Sequence, residues 1–117
     1  MKFSLKLKEV PVCIEDLDGK ERTFTMRELT GAQRDAFLDS MAKRMKYVGT
    51  QVQGLSKYEG LQAELLSYCL YDDNNEAVKA VELQKYPAGV LTALFDEAQK
   101  LSGLTITPED LNEAKNA

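Results

Sequence analysis

The start of the chain alternates apolar and polar positions. Phe3, Leu5 and Leu7 are separated by serine and lysine, which is the period-two pattern of a strand with one buried face. Two further β-prone runs, residues 10–15 and 22–26, flank Asp18-Gly19, a pair that favours a tight turn. Residues 1–28 are therefore predicted to be strand-rich, as a hairpin or three-stranded meander that packs on something else, because an isolated hairpin is marginal.

A helical period replaces this alternation at Thr30. Thr30-Gly-Ala-Gln33 matches a capping box, in which the threonine hydroxyl and the glutamine side chain each satisfy a backbone amide. The pattern predicts a helix over residues 30–48. One stripe of that helix is apolar and consists of Phe37, Met41, Met45 and Val48. The stripe fits a core-facing side, but its pliable thioethers also fit an adaptable contact surface.

Residues 49–57 combine glycines with polar side chains and are predicted to form a mobile connector. A second helix is expected over residues 58–71. Its C-terminal half is apolar on nearly all sides, which is typical of a helix at the centre of a domain. Turn-forming residues from Asp72 to Glu76 end it, and residues 77–85 form an ambiguous link with room for one short helical turn.

A third helix is predicted over residues 87–102. Pro87 suits its first turn, where a missing N–H costs nothing, and Gly103 suits the left-handed position that ends a helix. Its apolar side includes Leu91, Leu94 and Phe95. A last short helix, residues 107–115, is expected to begin at Thr107-Pro108.

These elements predict one domain over residues 1–117, in the α+β class: an N-terminal β-hairpin or small antiparallel sheet packed on three main α-helices plus a short C-terminal helix. The composition, 44% hydrophobic and 29% charged, is that of a globular chain. A net charge of −4 argues against nucleic acid and anionic membranes as partners. No signal peptide or membrane-spanning run is visible, so a cytoplasmic location is expected.

Side chains that carry chemistry are scarce. The chain has no histidine, which removes the usual general base, and its two cysteines, Cys13 and Cys69, are expected to behave as small buried hydrophobes. The aspartate pairs lie in turn-forming contexts. A calcium-loop spacing that starts at Asp72 fails at Ala77 and Leu83, where glycine and glutamate are needed. We therefore expect no enzyme activity, no cofactor and no metal, and predict a binding or assembly module.

The C-terminal half resembles a known family. The runs "LLSYCLYDDNNEAV", "YPAGVLTALFDEAQKLSGLT" and "PEDLNEAKNA" are similar to the tail assembly chaperones of long-tailed, siphovirus-type bacteriophages. The matching positions are Cys69, Leu70, Asp72, Pro87, Leu94, Phe95, Ala98, Leu101, Gly103, Leu104, Ala114 and Asn116. The chain departs from the family at "DDNNEA", where a glycine is common.

The resemblance implies a function. Such proteins bind the tape measure protein, keep it soluble and help bring tail tube subunits to it without ATP, before being lost from the finished virion. It further implies a phage or prophage product in the host cytoplasm that self-associates and pairs with a longer, frameshifted form of itself. The residues proposed as partner or oligomer contacts, or alternatively as core, are Phe37, Met41, Met45, Leu91, Leu94 and Phe95.

Two other hypotheses remain open at this point. One is a minor structural protein of the virion, such as a head–tail joining component. The other is a small acidic regulatory protein that binds one folded partner through a fixed surface. Presence in purified particles distinguishes the first from a chaperone, and a single globular target distinguishes the second.

Overall fold

The computed structural model of the chain describes residues 1–48, 51–55 and 60–104. It is an α+β fold, as predicted, with a three-stranded antiparallel sheet and four helices in the described part. The elements in chain order are β1 (Glu9–Glu15), β2 (Glu21–Arg27), α1 (Gly31–Arg44), β3 (Met45–Val48), β4 (Gln51–Leu55), α2 (Leu61–Cys69), β5 (Leu70–Tyr71), α3 (Ala80–Leu83) and α4 (Ala88–Leu101).

Strands β1 and β2 form the predicted hairpin. They pair antiparallel with Val12 opposite Phe24. At the turn the Asp16 amide donates to the Lys20 carbonyl at 2.9 Å, and the Gly19 amide donates to the Asp16 carbonyl at 3.0 Å. Gly19 has a φ of 82°, a left-handed conformation that glycine adopts without a steric penalty, which explains the Asp-Gly turn.

The third strand of the sheet is β5, and the predicted strand at Phe3, Leu5 and Leu7 is wrong. β5 pairs antiparallel with β2, with Leu70 opposite Met26. Residues 1–8 form no strand, and the Phe3 side chain is 82% exposed. Alternation specifies which side chains share a face, but a strand also needs a neighbour, and no described strand lies beside this segment.

Helix α1 begins as predicted and ends early. The Thr30 hydroxyl accepts from the Gln33 amide at 3.2 Å and the Gln33 side chain accepts from the Thr30 amide at 3.0 Å, so the capping box is confirmed. The helix ends at Arg44 instead of residue 48, because the following segment, which includes the β-favouring Tyr47 and Val48, pairs antiparallel with β4 as a second, two-stranded sheet.

The same pairing corrects the predicted connector over residues 49–57. Residues 51–55 are strand β4, with a register shift in β3 between Lys46 and Tyr47. The remaining connector positions, 49–50 and 56–57, lie outside the described residues. A polar, glycine-containing composition therefore did not exclude a strand here, since backbone pairing with β3 supplies hydrogen bonds that composition does not reveal.

Helix α2 is the central helix, as expected, but it is shorter than the predicted 58–71. It begins after Gly60, and at Leu70 the backbone becomes extended, with φ −100° and ψ 125°. Leu70 and Tyr71 leave the helix because pairing with β2 satisfies their backbone groups in the sheet. The buried residues of α2 are Leu61, Ala63, Leu65, Leu66 and Cys69.

Helices α3 and α4 follow the predictions closely. α3 is the short helical turn expected in the ambiguous link, and it buries Leu83 completely. Pro87 caps α4 from outside, with an extended ψ of 139°, instead of lying in its first turn. At the other end Gly103 has a φ of 70°, and the Leu104 amide donates to the Gln99 carbonyl at 2.8 Å, which completes a Schellman motif. The predicted helix over residues 107–115 lies outside the described residues.

A single apolar core joins the sheet to the helices. Its buried side chains come from β2, β5 and all four helices. Cys69 is buried in this core, as predicted, and burial raises the pKa of its thiol to about 11. Cys13 is exposed on β1, so that prediction was wrong; its odd position in β1 places it on the face that points away from the core.

No helix in the described ranges is both long and apolar enough to cross a membrane.

Candidate interaction surfaces

The six predicted contact residues lie mostly in the core. Phe37, Met41, Leu91 and Leu94 are buried, and the Phe95 side chain is half-buried against the same core. Met45 lies in β3, and its side chain is outside what the structure describes. The core alternative therefore accounts for four of the six, and a role in partner contact stays a prediction.

The exposed apolar side chains lie elsewhere. They are Met1, Phe3, Leu5, Val10, Leu17, Leu38, Val81 and Val90. The largest group is in residues 1–7, named here the N-terminal arm, where Leu5 is 101% exposed. Sequence reasoning missed this surface because it assigned the same residues to a buried strand face. The lysines in and directly after the segment, Lys2, Lys6 and Lys8, are the sequence feature that could have indicated its exposure.

Ion pairs connect the hairpin to the turn that follows β5. The Arg22 guanidinium donates two hydrogen bonds to Asp73, at 3.1 and 2.8 Å, and this pairing lowers the pKa of the Asp73 carboxyl. Arg27 pairs with Glu9 at 2.9 Å, donates to Asn75 and lies over the Tyr71 ring, 4.1 Å from its centroid. Both arginines thus bind acidic and aromatic side chains of their own domain.

The β5 side of the sheet is closed by its own turn. The Asp72 carboxylate accepts from the Asn74 amide at 2.9 Å and from the Glu76 amide at 3.0 Å, and Tyr71 forms a β-bridge with Ala77. Asn75 has a φ of 63°, the left-handed conformation that asparagine tolerates better than most residues. The turn therefore forms without the glycine common in the resembled family.

The aspartate pairs form hydrogen bonds within the turns in which they lie. A hydrogen bond between Asp16 and Asp18 raises the pKa of Asp16 and lowers that of Asp18, and the Asp16 carboxylate also accepts from the Lys20 amide at 3.2 Å. Both side chains stand at the tip of the hairpin. Across the part of the chain that the structure describes, no group of three or more cysteine, aspartate or glutamate side chains is placed to hold a metal ion.

The fold and these surfaces define the molecule as a small acidic α+β domain with an exposed apolar arm. Comparison of the chain with protein-family models, with curated proteins and with solved structures gave no match.

Proposed function

We propose that this chain is a tail assembly chaperone of a long-tailed bacteriophage. It binds the tape measure protein, keeps that long helical polypeptide soluble and assists tail tube assembly without ATP. It acts in the host cytoplasm and is absent from the mature virion. The observation that carries the proposal is the residue pattern of the C-terminal half, from the end of α2 to the stop after α4.

The structural positions of the pattern residues support this proposal. Cys69 and Leu70 mark the change from helix α2 to strand β5, Asp72 holds the turn, and Pro87 and Gly103 bound helix α4. These five pattern residues thus lie where the elements of one continuous stretch of the fold begin, end or meet, which supports the proposal.

Client binding needs apolar side chains that a long amphipathic helix can reach in many registers. Of the predicted contacts on α4, Phe95 is the more accessible, since it is half-buried while Leu91 and Leu94 are buried. Val90, on the same helix, is exposed. We therefore place the first client contacts at Phe95 and Val90. The tail tube protein, a second copy and a longer frameshifted form are further partners under this proposal.

The test is co-expression with the tape measure protein, taken as the long helical product encoded downstream. The soluble fraction of the client is measured with no chaperone, with the wild-type chain, with Phe95→Asp and with Val90→Asp. Gly89→Asp is the matched control, because Gly89 is exposed on α4, a side chain there meets no neighbouring atom, and it lies at least about 100° around the helix from Val90 and Phe95. We expect wild type and Gly89→Asp to solubilise and co-purify with the client, and the other two to lose most of that effect.

Circular dichroism of each purified variant separates lost binding from lost folding. If the client stays insoluble with the folded wild-type chain and no complex forms, the chaperone proposal fails. Detection of the chain in purified particles by mass spectrometry would instead favour the structural-protein hypothesis.

A further inference from the structure

The N-terminal arm has no partner strand within the described chain. Phe3 and Leu5 are almost fully exposed, and the polar contact that the structure gives the arm is local, from the Lys6 amide to the Ser4 hydroxyl at 3.2 Å. The backbone bends at Lys6, just before the chain enters the hairpin. An apolar, strand-patterned segment is thus held away from the core.

The outer edge of β1 is open. The sheet order is β1-β2-β5, so β1 has one edge that pairs with no other strand among residues 1–48, 51–55 and 60–104. At the two ends of the hairpin, the Lys8 carbonyl accepts from the Glu28 amide, and the Asp16 amide donates to the Lys20 carbonyl. The even-numbered residues of β1 therefore form the backbone hydrogen bonds to β2. The backbone groups of residues 9, 11, 13 and 15 point outward, away from β2.

The two edges of the sheet differ in this respect. The β5 edge is covered by the bridge from Tyr71 to Ala77, and the Val78 amide also donates to the Leu70 carbonyl at 2.9 Å. On the β1 edge, Pro11 removes one outward donor, which is a common protection of edge strands, but Glu9, Cys13 and Glu15 keep theirs. The open edge can still form a ladder with an added strand.

The two faces of that edge complement the arm. The core-side face of β1 ends in Val10, which is 39% exposed, and in the half-buried Val12 and Ile14. The opposite face carries Glu9 and Glu15. A strand that adds its own apolar side next to the valines would place its polar side next to these acids. In the arm that polar side carries Lys2 and Lys6.

We propose that the arm of one copy adds as an extra strand to the open edge of β1 in a second copy. Its own β1 is out of reach, because Lys8 is already paired with β2 and a reversal inside residues 1–7 would leave too few residues for a ladder. The arm has the same length as the seven-residue edge. Each copy offers one arm and one edge, so a reciprocal exchange satisfies both.

This inference concerns the purified chain alone and does not depend on the client. Sedimentation equilibrium is measured from about 1 to 100 μM, the range in which moderate self-association becomes visible. The wild-type chain is compared with the double variant Phe3→Asp, Leu5→Asp. Leu17→Asp is the matched control, since Leu17 is 109% exposed in the hairpin turn, outside both the arm and strand β1.

We expect the wild type and Leu17→Asp to dimerise alike, and the arm variant to dissociate roughly tenfold more easily or more, as loss of central apolar contacts does at other interfaces. All three should give the same circular dichroism spectrum, because the substituted side chains lie outside the core. A wild-type chain that stays monomeric throughout overturns the inference, and so does a dimer that the arm variant leaves intact.

Cross-linking tests the geometry. An antiparallel register with Phe3 opposite Ile14 and Leu5 opposite Val12 keeps the arm's apolar side on the valine face. It places Ser4 opposite Cys13 of the partner copy. Ser4→Cys is oxidised with diamide, with Ser4→Cys in a Cys13→Ser background as the control; Cys69 is buried in both. A disulfide-linked dimer in the first protein and not in the second supports the exchange. Equal cross-linking in both, or none in either, contradicts the proposed arrangement.

Discussion

The N-terminal arm and strand β2 share an alternation of apolar and polar residues, but the apolar side chains of β2 are buried and those of the arm are exposed. Phe24 and Met26 of β2 are 4% and 0% exposed, whereas Phe3 of the arm is 82% exposed. β2 has a strand on each side and helices across its inner face, while the arm has neither within the described structure. Periodicity therefore determines which side chains share one face of a strand. The elements packed beside that strand determine whether the face is buried.

The buried and the exposed phenylalanine also differ in how much they stabilise the fold. Phe24 contacts a core to which the sheet and all four helices contribute, and the Arg22 guanidinium lies 5.1 Å from the centre of its ring. Burial of a side chain of this size contributes a large part of the free energy of unfolding of a small domain. An exposed phenylalanine in the arm contributes almost nothing until a partner covers it.

The sharpest test of this comparison is the same substitution at both sites. Phe24→Ala removes a buried ring and leaves a cavity, so we expect the free energy of unfolding to fall by about 3–5 kcal/mol. Phe3→Ala should change it by less than about 0.5 kcal/mol, the usual range for surface substitutions. Urea denaturation of dilute protein measures both.

Phe24→Leu is the fallback if Phe24→Ala does not fold, because a smaller volume change in the core should cost about 1 kcal/mol. A similar loss in the free energy of unfolding for Phe3→Ala and Phe24→Ala would mean that the arm is packed in the isolated chain. That result would contradict the contrast between the arm and β2.

The buried Cys69 and the exposed Cys13 provide a second comparison, and the pH dependence of stability tests the buried one. Burial raises the folded-state pKa of Cys69 from 9.0 to about 11. The unfolded chain therefore loses its proton first, so the stabilising effect is complete below pH 9 and is lost as the pH rises toward 11. Two pH units correspond to roughly 3 kcal/mol. The free energy of unfolding of the wild type should fall across this window by about that much more than that of Cys69→Ala.

Thiol labelling checks the same pair independently. Cys13 is exposed and should react in the folded chain, although desolvation and the nearby Glu21 carboxylate raise the pKa of its thiol and slow the reaction. Cys69 should react only when the domain opens. Rapid modification of both thiols in the folded state would contradict the buried position of Cys69.

Features encoded by neighbouring residues were predictable from the sequence. The Asp-Gly turn, the capping box at Thr30 and the left-handed stop at Gly103 each depend on residues within a few positions of one another. The central position of α2 was also predictable, because its apolar residues surround the helix. Errors arose where a distant strand decided the outcome, as at Leu70, which leaves α2 to pair with β2.

The candidate contact surface was harder to predict for the same reason. An apolar stripe such as Phe37 and Met41 looks identical in sequence whether it faces a core or a partner, and here it faces the core. Conversely, Phe3 and Leu5 look like a buried strand face and are exposed. Separating these cases requires knowledge of which elements lie side by side, and residue spacing does not contain that information.

A modest effect is expected from the contrast between the closed β5 edge and the open β1 edge. Asp72→Ala removes the acceptor for the Asn74 and Glu76 amides, and we expect a loss of about 1 kcal/mol in the free energy of unfolding. Asp72→Asn keeps a side-chain carbonyl in the same place and should lose less than half as much. Hydrogen exchange of those two amides should quicken in the alanine variant and stay slow in the asparagine variant. Equal exchange in all three proteins would mean that the turn holds the edge closed through the Tyr71–Ala77 bridge without help from Asp72.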